Sequence, residues 1–155
     1  MERPNAQELF ARMEGLAKSG RTLQLPPNCF TEMKAEVLTF EDGLTLTVIF
    51  PNDPRYHNPL GLMQGGFIVA AIDNTLGPLS YLVAPPSVTT QLNTTYIRPV
   101  TPRDSHIVVH GEVLEKSRTQ LHLKARVVNP AGKLIAMAFA TCQILNDVSA
   151  RSTTE

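Results

Sequence analysis

The chain has 155 residues, 43% of them hydrophobic and 18% charged, the size and composition of one globular domain large enough to bury its own core. Fourteen Lys and Arg balance fourteen Asp and Glu, so the formal net charge is zero and no long-range field draws the protein to nucleic acid or an anionic membrane. The low charged fraction suggests that a ligand or a second copy covers part of the surface.

Residues 6–18 place Leu9, Phe10, Met13, Leu16 and Ala17 on one stripe at helical spacing, with Asn5 as candidate N-cap and Ser19–Gly20 as the stop. The segment RTLQLPPNC follows as an extended connector, because Pro26 and Pro27 oppose helix. From Phe30 to Phe50 two strand-like runs flank Asp42–Gly43, a hairpin signal, and Leu44, Leu46, Val48 and Phe50 share one face of the second run. The loop PNDPRYHNPLGLMQ is too long for a plain connection and polar enough to line a site.

Residues 65–82 predict a central helix, apolar on nearly every side, which Pro78 should bend or shorten. Asp73, Asn74 and Pro78 interrupt its apolar run, so it reads as a helix wrapped by protein and not as a membrane span. After Pro86 the period changes to two. SVTTQLNTTYIRPV, SHIVVHGEVLEKS, TQLHLKARVVN and KLIAMAFATCQIL read as four strands, whose short connections favour an antiparallel meander.

The order helix, two strands, loop, buried helix, four strands predicts an α+β protein of the hot-dog type. About six antiparallel strands curve around one central helix, in a single domain over 1–155 with its core at about 28–145 and an extra N-terminal helix. Cys29 and Cys142 show no CxxC spacing and read as two buried thiols in a reducing compartment. The start MERPNAQELF lacks the basic residues and apolar run of an export signal, so the expected location is the cytoplasm.

At NPLGLMQGGFIVAAID the chain resembles the hot-dog fold thioesterases of the phenylacetate-pathway (PaaI-like) type. Their pattern is Asn, a glycine three residues later, His-Gly-Gly, and an acid seven positions past the second glycine. Asn58, Gly61, Gly65, Gly66 and Asp73 hold these places, while Gln64 stands where the family has histidine. The strands VTTQLNTTYIRPV and GKLIAMAFAT add to the resemblance, which spans about 28–145. It implies an acyl-CoA thioesterase that needs neither cofactor nor metal, acting as a homodimer or homotetramer in which the acid of one subunit faces the glycine amide of the other.

The residues themselves carry a matching chemistry. A helix start presents N–H groups without partners, and glycines at 65 and 66 let a thioester oxygen approach them. Donors aimed at the oxygen that gains charge favour the transition state by about 3 kcal/mol each. Asp73, in the most apolar segment, must be paired, hydrogen-bonded or functional. Two turns of helix, about 10 Å, separate it from its own Gly66. It reads as a general base, a nucleophile, or a structural residue bonded to Asn74 or Thr75.

Asn58 either holds water or the thioester carbonyl, or caps its loop. Thr89 matches a position where related thioesterases place Ser or Thr near the acid, and equally suits a plain sheet threonine. Gln64 keeps a donor and an acceptor for the loop but does not titrate as imidazole does. His106 and His110, four apart on a strand, are about 13 Å apart and too distant for one metal. Arg55, Arg98, Arg103, Lys116 and Arg118 are candidate contacts for coenzyme A phosphates or a solvated rim. The expected activity is hydrolysis of an acyl-CoA to carboxylate and free coenzyme A. The alternatives are a non-catalytic acyl-thioester binding protein and, third, a dehydratase-like enzyme, which the lack of a His near this helix disfavours.

Overall fold

A computed structural model describes residues 6–16, 22–41 and 44–145. Helix α1 (Ala6–Leu16) buries Leu9, Phe10 and Met13, while Leu16 is exposed. Asn5, Ala17 to Gly20, and the turn residues Asp42 and Gly43 lie outside the described residues. A short helix α2 (Asn28–Glu32) stands where the sequence suggested the first strand. Pro27 at its N-cap has extended backbone, and Phe30 turns inward between the rings of Phe10 and Phe50 at 5.3 and 6.5 Å. Strand β1 therefore begins only at Glu36 (Glu36–Glu41), followed by β2 (Thr45–Pro51). Leu46, Val48 and Phe50 are buried as the alternation predicts, but Leu44 is exposed.

Helix α3 (Gly65–Val83) follows, then β3 (Ser87–Tyr96), β4 (His106–Lys116), β5 (Gln120–Val128) and β6 (Leu134–Ile144). The six strands form one antiparallel sheet in the order β1-β2-β4-β5-β6-β3, with α3 packed across it: the hot-dog fold. Only β4, β5 and β6 form the expected meander. β3 crosses to the far side and pairs with β6, so its other edge is unpaired among the described residues and most of its side chains are exposed.

Pro78 does not shorten α3, which continues to Val83. Nor is the helix buried all round. Ile68, Ala71, Ile72, Thr75, Leu76 and Leu79 face the sheet, while Gly66, Phe67 and Asp73 are exposed. By length and composition α3 is apolar enough to cross a membrane, and half of that window is buried inside the fold. The inward side chains of β2, β4, β5 and β6 close over it, including Val109, Leu121, Leu123, Ala125, Val127 and Ala138. Gly111 belongs to this contact, since a Cβ there would stand 3.0 Å from Leu76 and 3.4 Å from the backbone oxygen of Leu46.

Candidate active site

The chain enters α3 through a loop fixed by its backbone. The Met63 N–H donates to Val100 O at 3.1 Å, the Gln64 N–H to Tyr56 O at 2.8 Å, and the Asn58 N–H to Leu62 O at 2.7 Å. The Asn58 side-chain oxygen accepts from the N–H groups of Leu60 (2.9 Å) and Leu62 (3.1 Å), so it caps the loop; its amide NH2 has no partner among the described residues. Gln64 is the N-cap residue by backbone conformation, but its exposed side chain makes no cap hydrogen bond. The loop contact expected of it is supplied by its main chain instead.

The first two N–H groups of α3, those of Gly65 and Gly66, have no acceptor among the described residues, as helix geometry requires. The two glycines differ in surroundings. A Cβ on Gly65 would lie 2.9 Å from the ring and hydroxyl of Tyr96, and the Tyr96 hydroxyl donates to Gly65 O at 3.0 Å. A Cβ on Gly66 would meet nothing within 4 Å. Gly65 thus lets β3 close on the helix start, while Gly66 has open space where a side chain would stand.

Two turns further on, Asp73 is exposed rather than buried in the apolar segment. The Thr89 hydroxyl donates to its Oδ1 at 3.0 Å, which holds the carboxylate, and Oδ2 has no partner among the described residues. Its sequence neighbours do not bond it: the Thr75 hydroxyl donates to Ala71 O, and Asn74 bridges the thiol of Cys29 (3.1 Å) and the sulfur of Met33 (3.3 Å). Thr89 also lies 3.8 Å from the sulfur of Cys142, a buried thiol whose pKa burial pushes up. Cys29, expected to be buried, is exposed.

The site residues therefore fall into two clefts with no lining residue in common. One, of about 330 Å³, includes Asn58, Gly65, Tyr96 and Arg98, with Gln64 and Gly66 beside it. The other, of about 530 Å³, includes Asp73, Asn74, Cys29 and Thr89. The edge strand β3 runs between them, with Tyr96 at its end in the first cleft and Thr89 near its start in the second. The first cleft has the donors of the α3 start and no carboxylate among its lining residues, and the second has the Asp73 carboxylate two helical turns away from those donors.

Tyr96 and Asn74 were not singled out from the sequence, because their contacts span 31 and more positions and leave no local pattern. Of the cations, Arg55 is taken up by Asp53 at 2.9 Å, whose carboxyl that side-chain contact holds down to about 2. Arg98 donates to Leu134 O and Lys116 to Val83 O. His57 bonds Asn52, and the other three histidines bond Ser105, Thr47 and Thr141, none of them beside Asp73.

Solved structures share this fold. The PaaI protein of the E. coli phenylacetic acid degradation operon superposes with a TM-score of 0.76 at 11% identity, covering 92% of this chain and 96% of that one. The conserved protein PA5202 of Pseudomonas aeruginosa gives 0.68 at 26% identity, with 75% and 92% covered. A hypothetical thioesterase of Streptococcus pneumoniae TIGR4, solved with coenzyme A, gives 0.68 at 19% identity, with 73% and 87% covered. No curated protein sequence matches this chain significantly. Residues 60–136, which run from the loop before α3 into β6 and include the glycine pair, Asp73 and Thr89, match the family model described as the thioesterase superfamily.

Proposed function

We propose that the protein is an acyl-CoA thioesterase whose site is completed by a second copy. The observation that carries this is the separation of donors and carboxylate at opposite ends of the edge strand β3. Thr89 and Tyr96 oppose Cys142 and Ala136 of β6, with the extra residue Thr90 taken up in a bulge, and the point midway, Phe139, opposes Asn93. Antiparallel pairing of β3 with β3 of a second copy about Asn93 therefore sets Thr89 of one across from Tyr96 of the other. Such pairing brings Asp73 of one copy to the Gly65–Gly66 amides of the other and satisfies the exposed edge. The coenzyme A bound by the Streptococcus pneumoniae relative supports a CoA thioester as substrate.

In this arrangement the thioester oxygen points at the two amides. Asp73 takes a proton from water at its Oδ2, the water oxygen bonds to the thioester carbon, and the oxygen that gains charge is held by the N–H groups. Collapse breaks the C–S bond. The departing thiolate receives the proton from Asp73, which restores the carboxylate and releases acid and thiol. Thr89 fixes the carboxylate, Asn58 shapes the loop, and Gln64 acts through its backbone and takes no proton.

The test is thiol release across short, medium, long and aromatic acyl-CoAs, with light scattering on the same samples. We expect turnover, at least a hundredfold loss in Asp73→Asn with fold and mass retained, and a mass of twice 17.0 kDa or more at micromolar concentration. Equal turnover in Asp73→Asn, or a monomer across that range with full activity, overturns the reading. Tight acyl-CoA binding without turnover would instead make this a binding protein.

A further inference from the structure

We infer that the 530 Å³ cleft beside Asp73 is an acyl pocket for a flexible aliphatic chain of medium length, with Gly77 setting how long a chain it takes; this rests on the thioesterase reading above. The cleft runs along α3 from Asp73 past Gly77 to Tyr81, and its opposite wall is built from Met13 of α1 and from Leu23 and Leu25 of the connector. Asp73 marks the reacting end, because it is the only Asp, Glu or His among the lining residues. Gly77 lies one helical turn beyond Asp73, about 6 Å along the axis.

The wall composition selects the chain type. Tyr81 is the only aromatic lining residue, and the rest of the apolar lining is mostly Met, Leu and Pro, which follow a flexible chain better than they clasp a flat ring. The volume selects the length. A methylene is about the size of one water, whose share of the liquid is about 30 Å³, so the cleft takes on the order of ten chain carbons once its mouth and the reacting carbonyl are allowed for.

Gly77 is the one lining residue whose missing side chain is itself cavity. It sits in mid-helix, where glycine is unfavourable, and a Cβ added there meets nothing within 4 Å. A leucine at 77 would therefore project into the cleft while improving helix propensity. Its four side-chain carbons would occupy roughly 120 Å³, displacing about four chain carbons.

The experiment measures kcat/KM for butyryl-, octanoyl-, decanoyl-, palmitoyl- and phenylacetyl-CoA in wild type, Gly77→Leu, Gly77→Ala and Met13→Ala. In parallel, decanoic acid binding is measured by calorimetry. The wild type should peak at octanoyl or decanoyl. In Gly77→Leu the decanoyl-to-butyryl ratio should fall at least tenfold, with Gly77→Ala shifted the same way by less. Should the leucine variant fail to fold by circular dichroism, the alanine variant decides. Met13→Ala should move the peak toward longer chains. An unchanged length profile in the Gly77 variants, or a phenylacetyl peak in wild type, overturns the inference while leaving the hydrolase reading intact. If no acyl-CoA is turned over but decanoic acid binds and Gly77→Leu weakens that binding at least tenfold, the hydrolase reading fails and the pocket assignment stands; absence of both refutes both.

Discussion

Gly65 and Gly66 are chemically identical neighbours, yet alanine should affect them in opposite directions. In Gly65→Ala the new methyl arrives 2.9 Å from the Tyr96 ring carbon and hydroxyl, about 1 Å inside ordinary contact, so ring or helix start must move. Overpacking of this kind costs about 1–3 kcal/mol, and losing the Tyr96–Gly65 hydrogen bond adds about 1 kcal/mol. Half exposure of Tyr96 lets the ring yield, which places the total near the lower end, about 2 kcal/mol. For a chain of this length that is a fall in Tm of roughly 4–8 °C. In Gly66→Ala nothing is displaced, and helix propensity adds up to about 0.5 kcal/mol, so Tm should stay level or rise slightly. Thermal denaturation of both variants, alone and in a Tyr96→Ala background, is the assay. The Tyr96→Ala background should remove most of the Gly65→Ala penalty while leaving Gly66→Ala unchanged. Equal Tm values for the two alanine variants, or a penalty at residue 65 that survives removal of the ring, would refute the close-approach argument.

Because the Gln64 side chain makes no cap hydrogen bond, Gln64→Ala and Gln64→His should each stay within about threefold of wild-type kcat/KM; a hundredfold gain in the histidine variant would show that an imidazole contributes chemistry this chain lacks. Asp104 is raised by burial but lowered further by the Thr101 N–H and hydroxyl and the Asn129 amide, so its net pKa is depressed. Its contribution is present above the unfolded value of about 4 and lost as pH falls through the lower folded value. Asp104→Asn should lower Tm by roughly 2–4 °C at pH 7, with a gap that narrows at pH 3; a gap constant with pH would contradict the assignment. A small alkylating reagent should modify one thiol per native chain, Cys29, and two after denaturation, since Cys142 is buried with its pKa raised; two rapid modifications in the native protein would count against this packing.

The strands and the central helix were legible because alternation and helical spacing are local, and every inward position from Leu121 to Val127 follows from period two. Pairing is not local. Nothing in SVTTQLNTTYIRPV says that this strand crosses three others to pair with β6, and that crossing leaves its edge free and sets the two clefts apart. The short helix at 28–32 was missed because five residues carry too little period, and the inward turn of Phe30 is decided by Phe10 and Phe50 from distant segments. Asp73, its glycines and a Thr89 near the acid were singled out through spaced positions that a family pattern records, whereas the bond from the Thr89 hydroxyl to one carboxylate oxygen is set by how β3 lies beside α3. Its exposure followed the same rule: an apolar sequence says that a helix is covered, not which face the sheet leaves open.

Helix α3 touches β2 through β6 and also α1, so its opening is tied to dissolution of the whole sheet. Slow amide exchange at Ile72 and Leu76 should therefore run at the rate of global unfolding. Glycine amides and Asp73 ride on one rod that has no separate melting step of its own. Peripheral α1 and the connector at 22–27 rest on that rod through far less surface. On the proposed thioesterase reading, chain selectivity consequently has a place to change on this outer wall, which can be remodelled while Asp73 and the glycine amides keep their places on the helix of each copy.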